Sequence, residues 1–208
     1  MTAASTSGHG ESMTTVLRRR DGTAQQLAVD DWTAPATPAE RGLLRSLHGP
    51  VLDLGCGPGR LVVALGELGI PAMGIDASLQ AVRRARTRGA QVLHYSVFDR
   101  LPREGRWRSV LLFDGNIGIG GCPTTLFSRV RDLLARDGRA LVETDPPGTT
   151  TIEGEARLER AGETTSWFPW AWVAADDAPR LAGAAGLRLT GWHVADGRWF
   201  ARLRRRTR

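Results

Sequence analysis

Lysine is absent from the 208-residue chain, so all 28 of its cationic side chains are arginine. Such one-sided usage reads as GC-rich coding bias rather than selection for phosphate contacts. The formal net charge is +6, yet Arg18, Arg19 and Arg20, with Arg202, Arg204, Arg205, Arg206 and Arg208, supply eight charges near the two ends. Without those eight the remainder carries −2, so the body is not basic and nucleic-acid binding is disfavoured. Cysteine is scarce: Cys56 and Cys122 have no C-x-x-C partner, which excludes a disulfide framework and suits free thiols in a reducing cytoplasm. Four scattered histidines suggest no zinc or iron site. No apolar run approaches about 18 residues, so no membrane helix is expected. Residues 1–12 lack the apolar core of a signal peptide and read as a disordered tail, with Met13 as an alternative start. No Lys-rich or His–Asp arrangement commits the chain to a particular general base.

Glycine is plentiful, and it is concentrated where chemistry is expected. The run Val51-Leu52-Asp53-Leu54-Gly55-Cys56-Gly57-Pro58-Gly59-Arg60 reads as a buried strand breaking into a glycine loop. Glycines at alternate positions let backbone amides approach a ligand. The helix that follows directs its N-terminus at that ligand. The spacing is G-x-G-x-G, because Arg60 takes the place of the third glycine of the dinucleotide fingerprint. That points away from a nicotinamide dinucleotide.

Further strand-like runs follow in order. Pro71 to Asp76 ends in an acid 23 residues after Asp53, placed to accept from ribose hydroxyls. Ala90 to Tyr95 is followed by Phe98-Asp99, Ser109 to Phe113 by Asp114-Gly115-Asn116, and Arg139 to Glu143 by Thr144. Helices are expected from Thr37 to Leu47, with a Thr37/Glu40 capping box, and at about 60–68, 78–88, 124–134 and 176–185. This alternation gives a parallel, doubly wound α/β sheet. Residues 13–37 read as a leading segment containing Trp32. Residues 149–173 read as a hairpin-like insertion turning at Gly162. Ala195-Asp196-Gly197 joins two closing strands.

Over roughly Leu43 to Pro147 the ordered set resembles the class I S-adenosylmethionine-dependent methyltransferases. It is most similar to a bacterial group that shares Asp114-Gly115-Asn116-Ile117-Gly118-Ile119-Gly120-Gly121 and Trp167-Phe168-Pro169-Trp170. That group carries Asp where this chain has Cys122, so a role for that acid does not transfer. The resemblance implies a Rossmann-like seven-stranded sheet of order 3-2-1-4-5-7-6, strand 7 antiparallel, with helices on both faces. It implies a single domain over 13–204, with 149–173 as an insertion or substrate lid and 205–208 as a basic tail. It implies S-adenosyl-L-methionine as methyl donor, held by Asp53, Gly55, Cys56, Gly57, Gly59, Arg60, Asp76, Ala77, Phe98, Asp99 and Asp114. In that scheme Asp99 takes the adenine amino group, Phe98 flanks the ring and Asp114 contacts the methionine end.

Several alternatives stay open at this stage. Arg60 pairs with the methionine carboxylate or is solvated. Asp114 to Gly121 is a ligand-contacting segment or a plain turn, with Asn116 and Asp114 the weak catalytic candidates. Trp32, Asn116, Trp167 and Trp170 line a substrate pocket or belong to the core. His94 and His193 read as structural. Thr144-Asp145-Pro146-Pro147-Gly148 is similar to the D/N-P-P-Y/F motif of base-directed amino-methyltransferases. It follows the fifth strand rather than the fourth, and Gly148 replaces the aromatic, so it reads as a strand exit. The expected activity is in-line methyl transfer to a small-molecule acceptor by a cytoplasmic monomer or homodimer. The rivals are a non-catalytic S-adenosylmethionine-binding protein, an RNA methyltransferase and a non-methylating enzyme on the same scaffold.

Overall fold

The computed structural model describes residues 15–27 and 32–206; the expected tail at 1–12 and the start at Met13 lie outside the described residues. The first described residues form a hairpin, where the sequence reading had only a leading segment. Strands β1 (Thr15–Arg19) and β2 (Ala24–Leu27) pair antiparallel. The turn holds Asp21-Gly22, a hairpin signal that Gln25, Gln26 and the neighbouring arginines obscured.

Helix α1 (Pro38–Arg45) starts as the capping box dictates: Glu40 N–H donates to the Thr37 hydroxyl, and Thr37 N–H donates to the Glu40 carboxylate. Then come β3 (Val51–Leu54), α2 (Arg60–Glu67), β4 (Ala72–Asp76), α3 (Leu79–Thr87), β5 (Val92–His94) and β6 (Trp107–Leu112). After a 3-10 turn at Asn116–Gly118 follow α4 (Pro123–Leu133), β7 (Leu134–Thr144), β8 (Ile152–Arg160), β9 (Glu163–Thr164) and β10 (Phe168–Trp172). The chain closes with α5 (Ala178–Ala184), β11 (Leu187–Ala195) and β12 (Arg198–Arg205).

Seven strands form one sheet in the order β5-β4-β3-β6-β7-β12-β11. The first five run parallel, and β12 is antiparallel to both neighbours. Numbered within the sheet, this is 3-2-1-4-5-7-6, the expected Rossmann-like arrangement. The period of two divides the core between faces. Leu52, Leu54, Val110 and Leu112 pack against Leu126, Phe127 and Val130 of α4 and Leu181 of α5. Val51, Leu111, Phe113 and Leu141 pack against Leu43 and Leu44 of α1 and Leu61 and Leu65 of α2. Helix α3 joins that second face through Val82 and Ala85, which meet Val62 and Val92.

The expected basic tail at 205–208 is shorter than the sequence reading placed it. Arg202, Arg204 and Arg205 are strand residues of β12, and Arg206 N–H donates to Gly186 O. Phe200 on one face and Ala201 and Leu203 on the other hold that strand in the sheet; residues 207 and 208 lie outside the described set.

The insertion makes a second sheet rather than an isolated hairpin. Its order is β10-β8-β1-β2, with β9 added to β8. The turn is Ala161-Gly162, both in the left-handed region. The sheet is two-faced. Leu17 and Leu158 are paired in register on the inner face, as are Ala156 and Phe168. The outer face is laced by Arg18–Glu159, Arg20–Glu155 and Arg157–Glu159 ion pairs.

A candidate active site of two joined cavities

Three glycines after β6 decide how the second sheet docks. A Cβ on Gly118 would lie 2.3 Å from Ala171 O, one on Gly121 2.8 Å from Pro169 Cβ, and one on Gly120 2.6 Å from the Phe98 ring. The segment is therefore glycine-rich because β10 and Phe98 lie directly on it, sealed by a bridge between Ile119 and Trp170. This contact joins the small sheet to the carboxyl edge of the large one and leaves two cavities between them.

The first cavity, of about 500 Å³, sits over the glycine loop. Asp53, Gly55, Cys56, Gly57, Arg60, Asp76, Ala77, Phe98 and Asp114 of the expected cofactor set all line it. Gly57 has open space where a Cβ would stand, whereas a Cβ on Gly55 would strike the Asn116 amide at 2.8 Å. Asn116 Nδ2 donates to Leu54 O and Gly55 O, at 3.0 and 2.9 Å, and so clamps the loop. Asp76 accepts from Gly57 N–H at 2.8 Å and from Ser78 N–H at 2.7 Å, which ties the second strand tip to the loop. Asp53 is 2 % exposed, and its carboxylate takes no hydrogen bond among the described residues. Burial first, then the charge of Asp114, pushes its pKa up to about 7. Burial and the nearby Asp53 hold the Cys56 thiol well above its ordinary range, so it is an inert lining group.

Two expected cofactor residues are absent from the lining. Gly59 packs inward: its Cβ would meet Ala90 and Ala85 at 2.8 and 2.9 Å, so this glycine serves the contact of α2 with α3. Asp99 turns back on its own loop and accepts from Ser96 N–H at 2.7 Å.

The second cavity, of about 520 Å³, lies under the small sheet. It shares Trp32, Arg60, Asp114, Asn116, Phe168 and Trp170 with the first, so the two are continuous. Trp32, Asn116 and Trp170 are thus where substrate residues were expected. Trp167 is not: it lies on the outer side, between the guanidinium groups of Arg20 and Arg157 at 4.7 and 4.9 Å. One residue before β10 it falls out of phase with Phe168, Trp170 and Trp172, which all line the cavity. His94 and His193 line neither cavity.

A buried ion network forms the floor between the cavities. Arg60 donates to Glu40 at 2.5 Å and to both Asp114 oxygens at 2.8 and 2.7 Å. It is not solvated; its partners are the protein's own carboxylates. Arg198 donates to Glu40 at 2.5 Å, to Asp114 at 2.8 Å and to both Glu143 oxygens at 2.7 and 2.6 Å. Glu143 also accepts from Asp114 N–H at 2.6 Å, and Asp114 adopts a left-handed φ of 57°. Burial alone would raise the Glu40 pKa, but its hydrogen bonds to Arg60, Thr37 and Arg198 hold it below the ordinary value. Sequence reading missed Glu143 and Arg198 and saw Glu40 only as a helix cap. The usable signal was an acid at the end of the fifth strand.

Cys122 is the N-cap position of α4 and makes no side-chain cap bond; its sulfur accepts from Thr125 Oγ1 at 3.3 Å. An Asp here, as in the similar group, would be a stronger cap. Among the described residues no group of three or more His, Cys, Asp or Glu is arranged to hold a metal ion. No described helix is long and apolar enough to cross a membrane.

Comparison with known proteins agrees with this architecture. Residues 51–138 match a family model described as a methyltransferase domain. A search of curated proteins returned no match. Among solved structures, a methyltransferase from Bacteroides fragilis in complex with S-adenosyl-L-homocysteine is similar at a TM-score of 0.78. It is 22% identical, with 93% of this chain and 88% of that one covered. The CcbJ methyltransferase from Streptomyces caelestis is similar at 0.63, with 18% identity and coverage of 85% and 92%. The 1,6-didemethyltoxoflavin-N1-methyltransferase of Burkholderia thailandensis is also similar at 0.63, with 18% identity and coverage of 86% and 82%.

Proposed function

We infer that this chain, whose residues 51–138 carry a methyltransferase domain, is a class I enzyme that binds S-adenosylmethionine in the first cavity and delivers its methyl group to a small molecule in the second. The observation that carries the reading is the junction. The cavity over the glycine loop opens directly into an aromatic-walled one at Asp114, Asn116 and Trp170.

The residues present fit this donor. Asp53 is a buried carboxylate without a hydrogen-bond partner among the described residues, which suits a cationic α-ammonium group. Gly57 offers a bare backbone beside open space, and Asp76 stands at the second strand tip for sugar hydroxyls. Phe98 presents an exposed ring to the cavity and would cover a base. When bound, S-adenosylmethionine supplies a methyl group already activated by its sulfonium charge. The protein then has to align the acceptor and keep water out. Trp32, Phe168 and Trp170 line the junction, where they would cover a bound pair of ligands, and the Arg60–Arg198 network holds Asp114 in its unusual backbone conformation.

Nucleic acid is not the proposed acceptor. Arg139, Arg188, Arg202 and Arg204 do form a basic row without ion pairs among the described residues. It lies at the far end of the sheet: five steps along β7 separate Arg139 from Thr144, about 17 Å. Each chain carries both cavities, so a monomer suffices, and the free thiols Cys56 and Cys122 suit the cytoplasm.

Calorimetric titration with S-adenosylmethionine and S-adenosylhomocysteine tests the reading. Binding at one site is expected, weakened by about 1.5–3 kcal/mol in Asp76→Ala. Folded protein that binds neither compound overturns it.

A further inference from the structure

Resting on the methyl-transfer reading, we propose that the second cavity takes an acceptor carrying an organic ammonium group, with Asp145 as the counter-ion; the ammonium nitrogen, which has no lone pair, is the group recognised, and the methyl group goes to another atom of the acceptor. Three observations carry this. First, the cavity is lined by four carboxylates (Glu40, Asp114, Glu143 and Asp145) against two guanidinium groups (Arg60 and Arg198). Second, the two guanidinium groups are consumed. Each binds at least two carboxylates within the network, so neither is free to meet an anionic ligand. Asp145 stands outside that network. Its backbone is fixed, with N–H donating to Val173 O at 2.8 Å and C=O accepting from Ala175 N–H at 3.0 Å. Its carboxylate takes no hydrogen bond or ion pair among the described residues. Third, the walls are indole and phenyl rings: Trp32, Phe168, Trp170 and Trp172. Aromatic faces attract cations, most strongly where water is excluded.

Burial first, then the neighbouring charge of Glu143, raises the Asp145 pKa. A bound cation would relieve both effects. One aromatic face is already used, since Arg19 lies 5.2 Å above Trp172 while pairing with Asp21. The rings left for a ligand are therefore Trp32, Phe168 and Trp170. The Asp-Pro-Pro segment, read from sequence as a strand exit, would by this account place the acid that recognises the acceptor.

The test uses three indoles of one shape and different charge, titrated calorimetrically into the full chain: tryptamine, 3-ethylindole and indole-3-propionate. Tryptamine is expected to bind about 10-fold or more tightly than 3-ethylindole, as for a charge-assisted hydrogen bond, and the propionate most weakly. In Asp145→Asn the three affinities should converge. Equal affinities in the natural chain, preference for the anion, or a cation preference that survives in Asp145→Asn would each overturn the proposal. If the variant fails to fold, the ranking in the natural chain still decides the sign. S-adenosylhomocysteine is titrated into the same samples. Binding of it without cation preference refutes the cationic acceptor alone, whereas its failure to bind refutes the methyl-transfer reading.

Discussion

Replacing Arg198 with Met asks how much the buried network contributes. Arg198 contacts Glu40, Asp114 and Glu143, and its side chain is 28% exposed. Arg198→Met preserves most of the volume but leaves Glu40 and Asp114 to share Arg60 and Glu143 without a guanidinium partner. Removing one partner of a fully buried pair costs roughly 3–5 kcal/mol. Partial exposure of Arg198 discounts this to about 3 kcal/mol. For a chain of this size that corresponds to a fall in melting temperature of about 6–12 °C. The pH dependence supplies an independent check. Glu40 has a lowered folded pKa, so its stabilising contribution is present above its ordinary value of 4.5 and is lost as pH falls through the folded value. Without Arg198, burial dominates and the orphaned carboxylates take up protons more readily. The stability gap between the two proteins should therefore narrow from pH 7 to pH 4. Urea unfolding followed by circular dichroism at both pH values measures it. A gap under about 1 kcal/mol at pH 7, or one that widens in acid, would refute the network's role.

Other consequences can be measured on the same preparations. Asp53 has a raised folded pKa of about 7, so its protonated form favours folding below the unfolded value of 3.8, and that contribution is lost as pH rises through 7. Asp53→Asn should hence gain thermal stability over the natural chain at pH 8.5 more than at pH 5.5, while binding S-adenosylhomocysteine more weakly. Gly118→Ala places a Cβ 2.3 Å from Ala171 O and should cost about 1–3 kcal/mol in urea unfolding, with the small sheet displaced. Phe127→Ala, at a fully buried position under β6, should cost about 3–5 kcal/mol without changing ligand affinity in the fraction that remains folded.

The cavity over the glycine loop was legible because each part is carried by local pattern. Gly55, Gly57, Asp53 and Asp76 announce themselves by spacing from strand ends, and the strand–helix alternation fixes which edge of the sheet they share. The second cavity depends on contacts between segments distant in sequence. Arg198 reaches Glu40 across 158 positions, and the β1–β8 pairing that builds the cavity roof brings Leu17 opposite Leu158. No local period encodes either. The capping box at Thr37 was read correctly, yet nothing near Glu40 signals that its carboxylate is buried between two arginines. Trp167 and Trp170 looked equivalent in sequence; the pleat of β10 separates them by sending one outward and the other into the cavity. Asp99 and Gly59 stand apart from the other expected cofactor residues. Their positions suited a ligand, but one closes its own turn and the other packs two helices together.

A crystal structure of the full chain with S-adenosylhomocysteine is the most direct test of the central claim. The account predicts the ligand over Gly55 to Gly57, with its sugar at Asp76 and its sulfur at the junction facing Asn116 and Trp170 and the second cavity beyond. A folded protein whose crystals hold the ligand elsewhere, or with its sulfur turned away from that cavity, would contradict it.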